Sequence, residues 1–81
     1  YIRLVRLADA GKINEAENLL YEQLENGQAE DLKAALGFYD HLNDYTEEFL
    51  DKADFSREEI KSGLVSVLRM YGYEGMTGLL M

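Results

Sequence analysis

Residues 10–20 read AGKINEAENLL. Gly11 is a natural helix terminator, since glycine enters the left-handed conformation of a helix C-cap at little cost. Beyond it, Ile13, Ala16, Leu19, Leu20 and Leu24 recur at spacings of three and four, which gathers them on one face of an α-helix. Before it, Ile2, Leu4, Val5, Leu7 and Ala8 form another apolar helical pattern. The stretch is therefore the turn of a helical hairpin, and its reading sets the fold class.

Working outward, the same pattern predicts five helices. The first runs from about Tyr1 to Ala8 and is apolar around most of its circumference, so it needs cover on two sides. The second starts near Asn14, which has cap chemistry, with Glu17 three residues on to return the bond; it stops at Gly27. The third spans about Ala29 to Asn43. Glu30 and Asp31 suit its N-terminal dipole, and Leu32, Ala35, Leu36, Tyr39 and Leu42 form its stripe, widened by Ala34 and Phe38. Gly37 inside it costs about 1 kcal/mol relative to alanine, which predicts close approach by a neighbour. The fourth, about Tyr45 to Ala53, is short, with Asp44 and Glu47 at cap spacing. The fifth opens on FSREEI, residues 55–60. Ser56 and Glu59 make a capping box there, and Phe55 and Ile60 a hydrophobic staple. Ile60, Leu64, Val67, Leu68 and Tyr71 form its face, Gly63 permits close contact, and Gly72 ends it. Residues 73–81, YEGMTGLLM, form a tail that is either frayed or docked.

No proline interrupts the chain and no segment alternates apolar with polar for long. The connections are short, which pairs neighbouring helices antiparallel. The fold class expected is all-α: about five helices in antiparallel hairpins, in a tetratricopeptide-like bundle, forming a single domain over 1–81.

Gly11, Ala16 and Leu20, set in LADAGKINEA, carry a resemblance to the tetratricopeptide repeat. Its second helix holds an alanine followed four residues later by a large apolar residue. The repeat's usual glycine and tyrosine fall on Leu4 and Leu7, however, and its terminal proline on Gln28. A second copy fails: at the repeat's period of about 34 residues, Ala16 maps to Leu50 and Leu20 to Asp54. One repeat-like hairpin is expected, not an array.

AGKINEAENLL, LGFYDHLND (36–44) and FSREEIKSGL (55–64), followed by a tyrosine–glycine end, resemble an uncharacterised family of small acidic helical proteins from Gram-positive bacteria. The resemblance implies a helical fold, a cytoplasmic location and a longer N-terminal helical segment. It implies no activity and no functional residue.

Composition narrows the function classes. A chain of 81 residues buries only about 60% of its unfolded surface. Without cysteine, no disulfide compensates, which fits a reducing compartment. The apolar share of 47% is that of a globular domain, and no run approaches the ~20 apolar residues that span a bilayer. The opening residues are too short and too charged for a signal peptide. The helical pattern already runs at Tyr1, so residues are expected upstream. Residues 1–12 carry three bases and one acid, 13–54 two bases and twelve acids, and 55–81 three of each. An acidic middle argues against nucleic acid and anionic membranes, whose phosphates demand clustered Lys and Arg.

Little points to chemistry. His41 is the one histidine, flanked by Asp40 and by Asp44 one turn on. Ser56, Ser62 and Ser66 are available, yet none stands in a nucleophile-elbow context. A zinc site would need more His or Cys, a di-iron bundle Glu-x-x-His twice, and DHLNDYTEE (40–48) lacks the central glycine of a calcium loop. Gly72, Gly75 and Gly78 follow no strand and precede no lysine, so they make no phosphate loop. Six tyrosines and three phenylalanines are generous for a thin core. Tyr1, Tyr21, Tyr71 and Tyr73 could gather at an interface, where apolar rings and wet hydroxyls both find use.

The function expected is a non-enzymatic protein-interaction or self-assembly module, whose partner is a protein, a second copy of the chain being one candidate. It would use Tyr1, Ile2, Val5, Tyr71, Tyr73, Leu79, Leu80 and Met81, with no cofactor, nucleic acid or membrane. The alternative is a carboxylate-based metal or hydrolytic site at Asp40, His41 and Asp44.

Overall fold

The computed structural model describes residues 1–25, 27 and 29–72. Among them are five α-helices and no strand: α1 Ile2–Asp9, α2 Ile13–Leu24, α3 Ala29–Asn43, α4 Glu47–Lys52 and α5 Arg57–Met70. The expected tail, 73–81, lies outside the described residues. No described helix is long and apolar enough to cross a membrane.

The turn after α1 shows why Gly11 matters. Gly11 adopts φ +83°. Its amide donates to the Ala8 carbonyl at 2.9 Å, and that of Lys12 to Leu7 at 2.9 Å. This pair of bonds is a Schellman motif, which satisfies carbonyls a helix end would otherwise strand. A second one ends α4. Asp54 takes the left-handed position at φ 56°, its amide bonds to Asp51 at 3.1 Å, and Phe55 bonds to Leu50 at 3.0 Å. Phe55 and Leu50 are both buried, supplying the apolar contact such ends favour.

The helix starts divide into expected and unexpected. At α5 both halves of the capping box form: the Glu59 amide donates to Ser56 Oγ at 3.2 Å, and the Ser56 amide to Glu59 Oε2 at 2.8 Å. At α4 the cap is Thr46, whose hydroxyl accepts from the Phe49 amide at 3.1 Å, so Asp44 does not serve. At α2 the cap position falls on Lys12, which makes no side-chain bond. Asn14 lies inside the helix and donates to the Asp54 carbonyl at 3.3 Å. The physical reason is Ile13. It is fully buried, and beginning the helix there points it into the core.

α1 packs chiefly on α2 and α3 chiefly on α5, while α3 also touches α1 and α2. Consecutive pairing therefore fails for α3 and α4. The six-residue α4 is a link whose Leu50 plugs the core, and α3 passes over it to α5. These two run antiparallel: Tyr39 lies over Gly63, and Arg57 reaches the far end of α3 at Asn43. The core is Leu4, Ala8, Ile13, Ala16 and Leu20 from the first hairpin, meeting Phe38, Tyr39, Leu42, Leu50 and Val67. Leu36, assigned by its spacing to the buried stripe of α3, is 37% exposed, because Phe38 takes the inward position. The α-carbons span 33 × 25 × 15 Å.

The expected close approaches at glycine are both made by tyrosines. A β-carbon on Gly37 would lie 2.8 Å from Tyr1 Cε1, and one on Gly63 would lie 2.6 Å from Tyr39 Cζ. Tyr39 is fully buried as a ring, yet its hydroxyl reaches Glu17 Oε2 at 2.7 Å and the Tyr21 hydroxyl at 3.4 Å. Burial, followed by the bond to Glu17, pushes its phenol well above the ordinary range. Glu17 is thus occupied by a tyrosine of α3 and is no partner for Asn14.

Candidate functional site

The last turn of α3 carries His41, and its partner comes from another helix. His41 Nε2 lies 2.9 Å from Asp9 Oδ1, at the C-terminal end of α1. The Tyr45 hydroxyl donates to the same Asp9 oxygen. The Tyr45 ring meets His41 edge-on at 5.2 Å and lies 4.3 Å from Phe49. The hydrogen bond from Tyr45, then that from His41, holds the Asp9 carboxyl below its usual value, and partial burial opposes them. Burial, then the bond to Asp9, pushes the Tyr45 phenol up. The cluster joins the ends of α1 and α3. It sits at the surface, with His41 32% and Asp9 54% exposed as side chains.

Asp40 and Asp44 do not join it. Asp44 is exposed, and Asp40 lines a groove between α3 and α5. Asp40, His41 and Asp44 thus share a stretch of chain without converging. Among the described residues, no three His, Asp or Glu side chains meet as a metal site. Ser56 is spent on its cap, while Ser62 and Ser66 lie on the exposed face of α5.

Two concavities among the described residues exceed a third, of about 280 Å³, on the Lys61–Arg69 face of α5. One, about 670 Å³, lies where α4 meets α5 and is edged by Asp51, Asp54, Glu58 and Glu59. Two of these serve the backbone already, Glu59 in the capping box and Asp54 in the left-handed turn. The other, about 520 Å³, is the α3–α5 groove, with Leu36, Tyr39, Ile60 and Leu64 along it and Asp40 and Lys61 beside it. Arg57 closes one end. Its Nη1 donates to the carbonyl and side-chain oxygens of Asn43 at 3.0 and 3.1 Å, its Nη2 to the Tyr45 carbonyl at 2.7 Å, and its Nε to Glu47. One guanidinium thus ties the start of α5 to the carbonyls ending α3, a use its planar fork suits better than an ammonium.

The residues expected at an interface come from both ends of the chain. Tyr1 and Ile2 are 53% and 68% exposed, with the Tyr1 hydroxyl on the Gly37 carbonyl at 3.3 Å. Val5 is half-buried. Tyr71 is half-buried near Asp31, and its phenol is raised by desolvation first and by that carboxylate second. Tyr21 turns to Tyr39. Tyr73, Leu79, Leu80 and Met81 lie outside the described residues. Sequence reasoning missed Asp9, Tyr45 and Arg57, whose partners are 10 to 36 residues away. It also missed Leu36 and Met70 as exposed apolar side chains.

No curated protein and no solved structure matches the chain. A family model described as "Family of unknown function (DUF6483)" matches residues 1–72. With that match running from the first residue through the end of the described helices, the chain belongs to the DUF6483 family.

Proposed function

We propose that this protein is a non-enzymatic interaction module that associates with copies of itself. The observation that carries the reading is the exposure of four large apolar side chains, Tyr1, Ile2, Leu36 and Met70, on a chain with so small a core. Leu36 adjoins Tyr39, Ile60 and Leu64 along the α3–α5 groove, and apolar side chains gathered in this way favour partner surfaces where singly scattered ones do not. The ionisable groups support the same reading. Asp9, His41 and Tyr45 spend their polar atoms joining two helices, an architectural use.

Two finer points belong to the proposal. The α1–α2 hairpin is tetratricopeptide-like in one respect, with Ala16 and Leu20 both fully buried where that repeat has its alanine and large apolar residue. The setting proposed is the cytoplasm of a Gram-positive bacterium, on the resemblance of the quoted segments and on the lack of cysteine.

Sedimentation velocity across the micromolar range tests the function. A sedimentation coefficient that rises with concentration is expected. A single monomeric boundary at every concentration would remove the self-association reading.

A further inference from the structure

We propose that the groove between α3 and α5 is where a second copy of this chain docks, with Asp40 of each copy set against Lys61 of the other. The inference rests on the self-association reading and gives it a surface.

The groove is apolar along its length and oppositely charged on its two walls. Tyr39 and Ile60 are buried at its floor, while Leu64 is half-exposed and Leu36 stands 37% exposed at the lip. Asp40 belongs to the α3 wall and Lys61 to the α5 wall. Both are exposed, and neither makes an ion pair among the described residues. The other charge there, Arg57, is engaged by Glu47 and the end of α3.

Register makes the charges useful. The helices are antiparallel, with Tyr39 over Gly63 and Arg57 at Asn43. Positions 40 and 61 lie between those two crossings, at about the same level. A two-fold axis running along the groove exchanges the walls, so α3 of one copy lies over α5 of the other. Each Asp40 then faces a Lys61, twice over, and each Leu36 is carried toward the α5 side of the other groove. This is the self-complementarity that an isologous interface requires.

Charge also selects the occupant. Residues 13–54 carry twelve acids against two bases, so most approaches between two copies are repulsive. The groove, with its walls balanced, is apolar surface where two like-charged molecules meet at least cost. A basic peptide would be drawn instead to the acidic depression at Asp51, Asp54 and Glu58. The groove is bounded by helices of 15 and 14 residues, a narrow face beside the ~1,200 Å² at which stable complexes begin, so a weak and reversible pair is expected.

The test is a charge exchange read by sedimentation equilibrium, with circular dichroism confirming the fold of each variant. Asp40→Lys and Lys61→Glu should each weaken self-association by about tenfold or more. Mixed one to one, these two variants should associate with each other, since every cross-pair is again opposite in sign. The double variant should also recover association. Single variants that associate as the unaltered chain does would overturn the groove while leaving self-association standing. An unaltered chain that stays monomeric would overturn both. Folded single variants that fail to pair when mixed would overturn the Asp40–Lys61 contact.

Discussion

Gly37 and Gly63 occupy the same helical context one helix apart, yet their neighbours differ in freedom. Tyr39, above Gly63, is 1% exposed and hydrogen-bonded at its tip, so it cannot yield to a methyl group. Tyr1, beside Gly37, is 53% exposed at the start of α1 and can swing away. Gly63→Ala is therefore expected to destabilise by about 1–3 kcal/mol through overpacking. Gly37→Ala should be near neutral or gain up to about 1 kcal/mol of helix propensity. Urea denaturation of both decides it, and equal effects would contradict the packing described. Asp9 provides the pH dependence. Its folded carboxyl titrates below the ordinary 3.8, so its share of stability is present above that value and disappears as pH falls through the lower folded one. Asp9→Asn should thus be less stable than the parent at neutral pH, and the difference should vanish in strong acid. Melting curves taken across that range should converge at the acid end; a constant gap would show that Asp9 is not the titrating partner.

At the scale of the element, what could be read beforehand was whatever rests on near neighbours. The α3 limits and the α5 capping box follow from residues within one turn, and both match the structure. Asn14 and Glu17 have the spacing of Ser56 and Glu59, but a distant demand prevailed: burial of Ile13 moved the helix start, and Glu17 went to Tyr39. Ser56→Ala should therefore cost about 1 kcal/mol, and Asn14→Ala, inside its helix and holding only the Asp54 carbonyl, clearly less. Thermal melts of the two variants compare them directly, and an Asn14 loss as large as that of Ser56 would reinstate Asn14 as a cap. The candidate site was legible only in half. His41 drew notice as the lone histidine, but nothing near it in sequence points to Asp9, 32 residues away. Arg57 was hidden likewise, because its partners are mostly backbone carbonyls, which every residue has.

The whole molecule carries sixteen acids and eight bases, and the ion pairs among its described residues lie at the surface. Such pairs are worth little individually, whereas the net repulsion acts across the entire domain and is screened within ~10 Å at 0.1 M salt. Adding sodium chloride should therefore raise the melting temperature. A decrease would mean that the ion pairs outweigh the repulsion. The smallest dimension between α-carbons, 15 Å, is that of two helix layers whose axes lie about 8–10 Å apart. With no further layer to cover them, what delays exchange of the backbone amides with deuterium is how many other helices must part before a given one can open. α3, held by three of them, should surrender its protons last, and the turn and a half of α4 among the first.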